Sequence, residues 1–137
     1  MPHLTLEYSS NLRDTQRFDV LCRQLAHVLG AQRNDAGQAV YPIGGIRVRA
    51  LACDAYCIAD GQDAEAAFVH ASLKIGAGRS ATVLQATGDA LFAILKTYFE
   101  ADYSARGLAL SLDIGEFSEA GTWKHNNLHA KFRSKAA

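Results

Sequence analysis

The chain is poor in most of the features that would assign it to a specialised class. Its 14 Lys and Arg are matched by 14 Asp and Glu, so it carries no surplus charge. That balance argues against a basic nucleic-acid binder or a polybasic membrane-surface protein. No apolar run approaches the roughly 18 residues that cross a bilayer. The start, Met1-Pro2-His3-Leu4-Thr5-Leu6-Glu7, has neither the charged segment nor the long apolar stretch of a secretion signal. The three cysteines, Cys22, Cys53 and Cys57, cannot all pair within one chain. Reduced thiols in a cytoplasm are the simplest reading. Cys53 and Cys57 have no cluster of His or Cys at zinc-site spacing beside them, so no metal site is expected there.

Apolar residues make up 49% of the 137 residues and charged ones 20%. This is the balance of a folded chain rather than a disordered one, and the length fits one domain over 1–137. Many of the apolar residues are alanine, however. The bulkier core is modest, with room for a partner subunit to complete it.

Period-two alternation occurs four times and predicts four strands, each with one apolar face. Leu4, Leu6 and Tyr8 form the first face, and Ile46, Val48, Ala50 and Ala52 the second. Val69, Ala71, Leu73 and Ile75 form the third, and Leu108, Leu110, Leu112 and Ile114 the fourth. Two helical patterns separate them. One runs from Asp14, an N-cap type, to Leu29, with Gly30 marking its end. The other starts at the N-cap Ser80 and fades near Asp102. The order strand–helix–strand, twice, predicts two β-α-β repeats with parallel pairing inside each. The fold class is α/β (α+β): a two-layer sandwich of a four-stranded mixed sheet with both helices on one face. The other face carries Thr5, Glu7, Arg47, Arg49, His70, Ser72, Lys74, Ser111 and Asp113, either solvated or shared with other subunits. The long segment Ala31–Gly45 reads as a flexible loop that tightens at Pro42-Ile43-Gly44-Gly45. The tail reads as a short helix docked through Trp123, Leu128 and Phe132 and ending in a frayed basic terminus.

Three places offer chemistry. If Met1 is removed, Pro2 becomes a secondary amine held at the start of a strand, where burial and nearby cations would keep it neutral. A neutral amine is a competent general base; the alternative is that Pro2 is incidental to processing. The turn Lys74-Ile75-Gly76-Ala77-Gly78-Arg79-Ser80 leads from a strand into a capped helix. Its free N–H groups and the Arg79 fork suit an anion. The same turn is equally readable as a tight connection with a solvated arginine. It has neither the spacing of a phosphate-binding P-loop nor that of a dinucleotide fingerprint. Arg47 and Arg49 point the same way from one strand and need an anion, or Glu7 or Asp113, to balance them. His125 and His129 lie four apart on one helix face but lack a third ligand. An amine with arginines at two strand–loop junctions suggests proton movement within an unsaturated keto acid or diacid.

Those residues, in order, resemble the 5-carboxymethyl-2-hydroxymuconate Δ-isomerases of the tautomerase superfamily. The likeness rests on the Pro2-His3 start, Gly45-Ile46-Arg47-Val48-Arg49, and Ala59-Asp60-Gly61-Gln62. It continues from Phe68-Val69-His70 through Leu73 to Ser80 and closes with Asn126-Asn127-Leu128-His129-Ala130. The resemblance implies a homotrimer with inward-facing sheets and no metal or organic cofactor. It implies Pro2 as the proton carrier, and Arg47 and Arg79 as the groups that bind a small dicarboxylate substrate. It also implies conversion of a 2-hydroxymuconate diene into a 2-oxo-ene acid during breakdown of aromatic acids. Two alternatives remain at this point. One is a tautomerase for a phenylpyruvate- or 2-hydroxymuconate-type enol; the other is a non-catalytic trimeric binder of an acidic metabolite. None of these readings calls for nucleic acid or a membrane.

Overall fold

A computed structural model describes residues 1–136. Strands β1 (His3–Ser9), β2 (Arg47–Cys53), β3 (Ala67–Gly76) and β4 (Leu108–Phe117) form one sheet in the order β2-β1-β3-β4. Helix α1 (Phe18–Ala31) connects β1 to β2. Helices α2 (Ala81–Tyr98) and α3 (Glu100–Ala105) connect β3 to β4, and α4 (Leu128–Ala136) follows β4. Pairing is parallel within each repeat, β1 with β2 and β3 with β4, and antiparallel between repeats, β1 with β3. The expected mixed sheet of two β-α-β repeats is therefore the observed fold.

The central strands bury their apolar alternation completely. Leu4, Leu6, Val69, Ala71, Leu73 and Ile75 meet Leu21, Leu25 and Leu29 of α1 and Leu91 and Leu95 of α2. Each fully buried Leu, Ile or Val side chain contributes about 1.5–3 kcal/mol. The edge strands are covered only in part, at Val48, Ala50, Leu108, Leu110, Leu112 and Ile114. Among the described residues, no helix is long and apolar enough to cross a membrane.

Several local expectations are corrected. Helix α1 begins at Phe18 rather than Asp14, because the chain first makes a 3-10 turn over Ser10–Leu12. Its start is then fixed from α2: the Arg17 N–H donates to Tyr98 Oη, and Tyr98 Oη donates to the Arg17 carbonyl, both at 2.9 Å. Phe18 stacks on Tyr8 with centroids 3.8 Å apart, so tertiary packing outweighs the local cap signal. Helix α1 also runs through Gly30 to Ala31. Helix α2 keeps its predicted cap, with Ser80 Oγ accepting from the Val83 N–H at 3.2 Å. It breaks at Phe99, however, before the short α3.

The segment after α1 is not a free loop. Val40 N–H donates to the Gln32 carbonyl, and Asn34 Oδ1 accepts from the N–H groups of Ala36 and Gln38, each at 3.0 Å. An Arg33–Ala39 bridge and Gly37, at φ +75, close this small hairpin. It is then anchored by Tyr41, which is fully buried. In the tail, α4 packs on the turn Ile43–Gly45, while Trp123 does not dock: it is 90% exposed. His125 lies before α4, so it shares no helix face with His129.

Candidate active site

The pairing directions bring the starts of β1 and β2 and the ends of β3 and β4 to one end of the sheet. On the open face, across the strands, one row holds Arg47, His3 and Lys74, and the next holds Arg49, Thr5, Ser72 and Asp113. The polar face read from the alternation is thus one continuous surface. At its end lies a pocket of about 320 Å³ lined by Met1, His3, Arg49, Lys74, Trp123 and Lys124, among others.

Pro2 is buried at the start of β1, and its carbonyl accepts from the Arg47 N–H at 3.0 Å. Behind Met1, Asn126 Nδ2 donates to the Met1 sulfur and to the Gly44 carbonyl, both at 3.3 Å. The Met1 α-amine is held below its ordinary value of 8.0. Burial is the largest cause, followed by Lys124, Arg79 and Arg47, with Glu119 opposing.

Of the two predicted carboxylate binders, Arg47 donates to the Gly44 carbonyl at 3.4 Å. Arg79 is set more firmly. It donates to the Gly76 carbonyl at 2.9 Å and the Val40 carbonyl at 3.2 Å, and lies 4.9 Å over the Tyr41 ring. Tyr41 is fixed in turn by a 3.0 Å hydrogen bond between its hydroxyl and Thr87. The hairpin that looked flexible in the sequence is therefore what holds Arg79. Arg79 lines a neighbouring hollow with Val40, Gly78 and Ser80 rather than the pocket itself. Its charge still reaches the terminal amine, as does that of Arg47.

Arg49, paired with Arg47 in the sequence reading but outside the role the resemblance implies, lines the pocket and donates to His3 Nδ1 at 3.2 Å. His3 is correspondingly held below its usual value, first by burial and then by Arg49, Arg47 and the chain terminus. Lys74 faces the pocket from the same row as its register partner His3, a placement that strand register could have given. Lys124 and Trp123 carry no local signal, because the docking of the tail puts them there. Arg47, Arg49, Lys74 and Arg79 form no salt bridge among the described residues. A cluster of unpaired cations around a desolvated amine attracts a multiply charged anion and focuses its approach. Among the described residues no group of three or more His, Cys, Asp or Glu gathers to hold a metal ion.

The family model for 5-carboxymethyl-2-hydroxymuconate isomerase matches residues 2–132. The chain belongs to the 5-carboxymethyl-2-hydroxymuconate isomerase family. A curated relative from Escherichia coli, 5-carboxymethyl-2-hydroxymuconate Delta-isomerase, is 39% identical over 133 residues, spanning 97% of this chain and 100% of its own. A crystal structure of a 5-carboxymethyl-2-hydroxymuconate isomerase from Deinococcus radiodurans R1 is 51% identical. It superposes with a TM-score of 0.86 and covers 96% of this chain and 94% of that one. A crystal structure of a 5-carboxymethyl-2-hydroxymuconate delta-isomerase is 33% identical with a TM-score of 0.89, covering 96% and 93%. A member of the cis-3-chloroacrylic acid dehalogenase family, 15% identical with a TM-score of 0.61, shares the fold alone. The matched span of the family runs from Pro2 to Phe132.

Proposed function

We propose that this isomerase acts on 5-carboxymethyl-2-hydroxymuconate, with Pro2 as its proton carrier once Met1 is removed. The observation that carries the reading is the chain terminus itself, partly buried at the pocket and surrounded by Lys124, Arg79 and Arg47. Shortening the chain by one residue turns the Pro2 nitrogen from an amide, which has no basic lone pair, into a secondary amine. Burial and the same cations favour its neutral form. The neutral amine takes the proton from the 2-hydroxyl and returns it to a carbon further along the conjugated chain. Arg47 and Arg79 hold carboxylates and stabilise the charge that builds on the dienolate oxygen. Supporting self-association as a homotrimer, β2 and β4 are open sheet edges and Leu51 stands half-exposed on the open face. A place in the breakdown of aromatic acids follows from the substrate.

The test is turnover of 5-carboxymethyl-2-hydroxymuconate followed by ultraviolet absorbance, with intact mass measured on the same preparation. Protein lacking Met1 turns over, and Pro2→Ala loses most of the rate while keeping its oligomeric state. The new alanine amine remains as a weaker base. Full rate in Pro2→Ala, or in protein that retains Met1, refutes the assignment.

A further inference from the structure

The segment between β4 and α4 brings an ion pair to the pocket. Lys124 Nζ lies 2.8 Å from Glu119 Oε2 and 5.8 Å from the centroid of the Phe117 ring. It lines the pocket together with Met1, His3, Arg49 and Lys74. The other Glu119 oxygen, Oε1, lies so close to Gly76 that a Cβ there would stand 2.8 Å from it. Gly76 is also the residue whose carbonyl anchors Arg79. The Glu119 carboxylate is therefore seated between Lys124 and the end of β3, within electrostatic reach of the chain terminus and Arg79. Glu119 does not line the pocket itself, but its carboxylate is the counter-ion that the pocket's Lys124 already holds.

We infer that Lys124 is a further carboxylate-holding residue of this pocket, and that Glu119 is its resident counter-ion, displaced when a ligand carboxylate arrives. The inference rests on the substrate proposed above and refines it. A muconate bears two carboxylates and the carboxymethyl substituent a third, one more than Arg47 and Arg79 can each grip. Lys124 takes the third, with Arg49 and Lys74 adding to the field. Opening the existing pair costs little, because the Glu119 side chain is 64% exposed and that of Lys124 31%, and exposed pairs of this kind contribute little. An incoming carboxylate replaces one anion by another on the same ammonium, so no charge is left buried and unpaired. A neutral substituent offers no such exchange and leaves Glu119 in place. The pair thereby favours ligands carrying the extra carboxylate.

The test uses the full-length protein and two unreactive ligands, pentane-1,2,5-tricarboxylate and adipate, which differ by one carboxymethyl group. Trp123, the one tryptophan of the chain, lines the pocket and reports binding by its fluorescence. Wild type binds the tricarboxylate more tightly than adipate. Lys124→Met weakens the tricarboxylate by roughly tenfold or more, the effect of losing a charge-assisted hydrogen bond. Adipate binding changes by less than about twofold, and Lys124→Arg restores most of the loss. Glu119→Gln tightens the tricarboxylate severalfold, since its competitor has lost its charge. If the ion pair only pins the segment, Lys124→Met and Glu119→Gln weaken binding alike, and the inference is overturned. Equal loss for both ligands in Lys124→Met, or no preference for the tricarboxylate in wild type, overturns it as well. Opposite shifts in a protein that turns over no hydroxymuconate refute the proposed reaction but not this site; turnover without the shifts does the reverse.

Discussion

Replacing Gly44 with alanine tests the contact that holds the tail against the N-terminal end of the sheet. A Cβ at this position would stand 2.7 Å from the amide nitrogen of His129, 2.8 Å from its Cα and 2.9 Å from the carbonyl carbon of Leu128. All three atoms are backbone, so no change of rotamer relieves the clash and the two elements must move apart. Overpacking of this kind costs about 1–3 kcal/mol. The cost falls on the docking of α4, which packs on the turn Ile43–Gly45, while the core formed by β1, β3, α1 and α2 lies elsewhere. At 1.4 kcal/mol per decade, local opening of α4 rises roughly 5- to 150-fold. Hydrogen exchange followed by mass spectrometry reads this directly. Peptides covering residues 128–133 exchange faster by that factor, while peptides from β1 and β3 keep their protection. Turnover falls in parallel, because Asn126, which donates to the Gly44 carbonyl, loses its seat and Lys124, carried by the same tail, loses its place at the pocket. Unchanged protection over 128–133, or a loss spread evenly through β1 and β3, would refute the reasoning.

Tyr41→Phe removes the partner of the Thr87 hydroxyl, 3.0 Å away and fully buried, and keeps the ring beneath Arg79. It lowers stability by about 1–3 kcal/mol, read as a lower urea midpoint at unchanged slope, with ligand affinity preserved; a fall in affinity instead would show that the hydroxyl positions Arg79. The α-amine of protein retaining Met1 titrates below 8.0 when folded, owing first to burial and then to Lys124, Arg79 and Arg47, and returns to about its ordinary range in urea. Between those two values the unfolded chain binds the extra proton, so this group's penalty on stability is full below the folded value and disappears as pH rises through 8.0. NMR titration of the labelled amine checks the shift, and a folded value at or above 8.0 contradicts the placement of the terminus.

The strands were readable because one buried and one open face impose a period of two, which survives even where the edge strands are only partly covered. Helix α2 was readable at its start because Ser80 caps within its own sequence. Helix α1 was not, since Asp14 has the chemistry of a cap but the actual start is set by Tyr98, 81 residues away. The hairpin after α1 carried its own signal in Asn34 and Gly37, but length and glycine content suggested mobility, and only the burial of Tyr41 shows what it supports. Arg47, Arg49 and Arg79 stood out because they sit at strand–loop junctions, and only the family resemblance set Arg47 and Arg79 apart from Arg49. Lys124 and Trp123 could not, because their place depends on the fit of α4 against Gly44.

The charge balance of the sequence concealed the most informative property of the molecule. Fourteen cationic and fourteen acidic side chains cancel in the sum, but they are not distributed alike along the strands. Beyond the far end of the sheet, cations and carboxylates pair off, Arg13 with Asp54 at 2.9 Å and Arg106 with Glu65 at 3.7 Å. At the pocket end, Arg47, Arg49, Lys74 and Arg79 have no acidic partner among the described residues, and Glu119 alone answers Lys124. The topology produces this separation. Parallel pairing within each repeat and antiparallel pairing between them gather two strand starts and two strand ends in one place. Residues far apart in sequence thereby add their fields at one point. Net charge bears on solubility and on large charged partners. A small polyanion responds instead to the local charges, which in this protein are Lys124, Arg79 and Arg47 acting on a chain terminus that burial and those cations favour in its neutral form. Neutral overall composition and a local cluster of cations without acidic partners are therefore compatible, and the second is invisible to any count of the first.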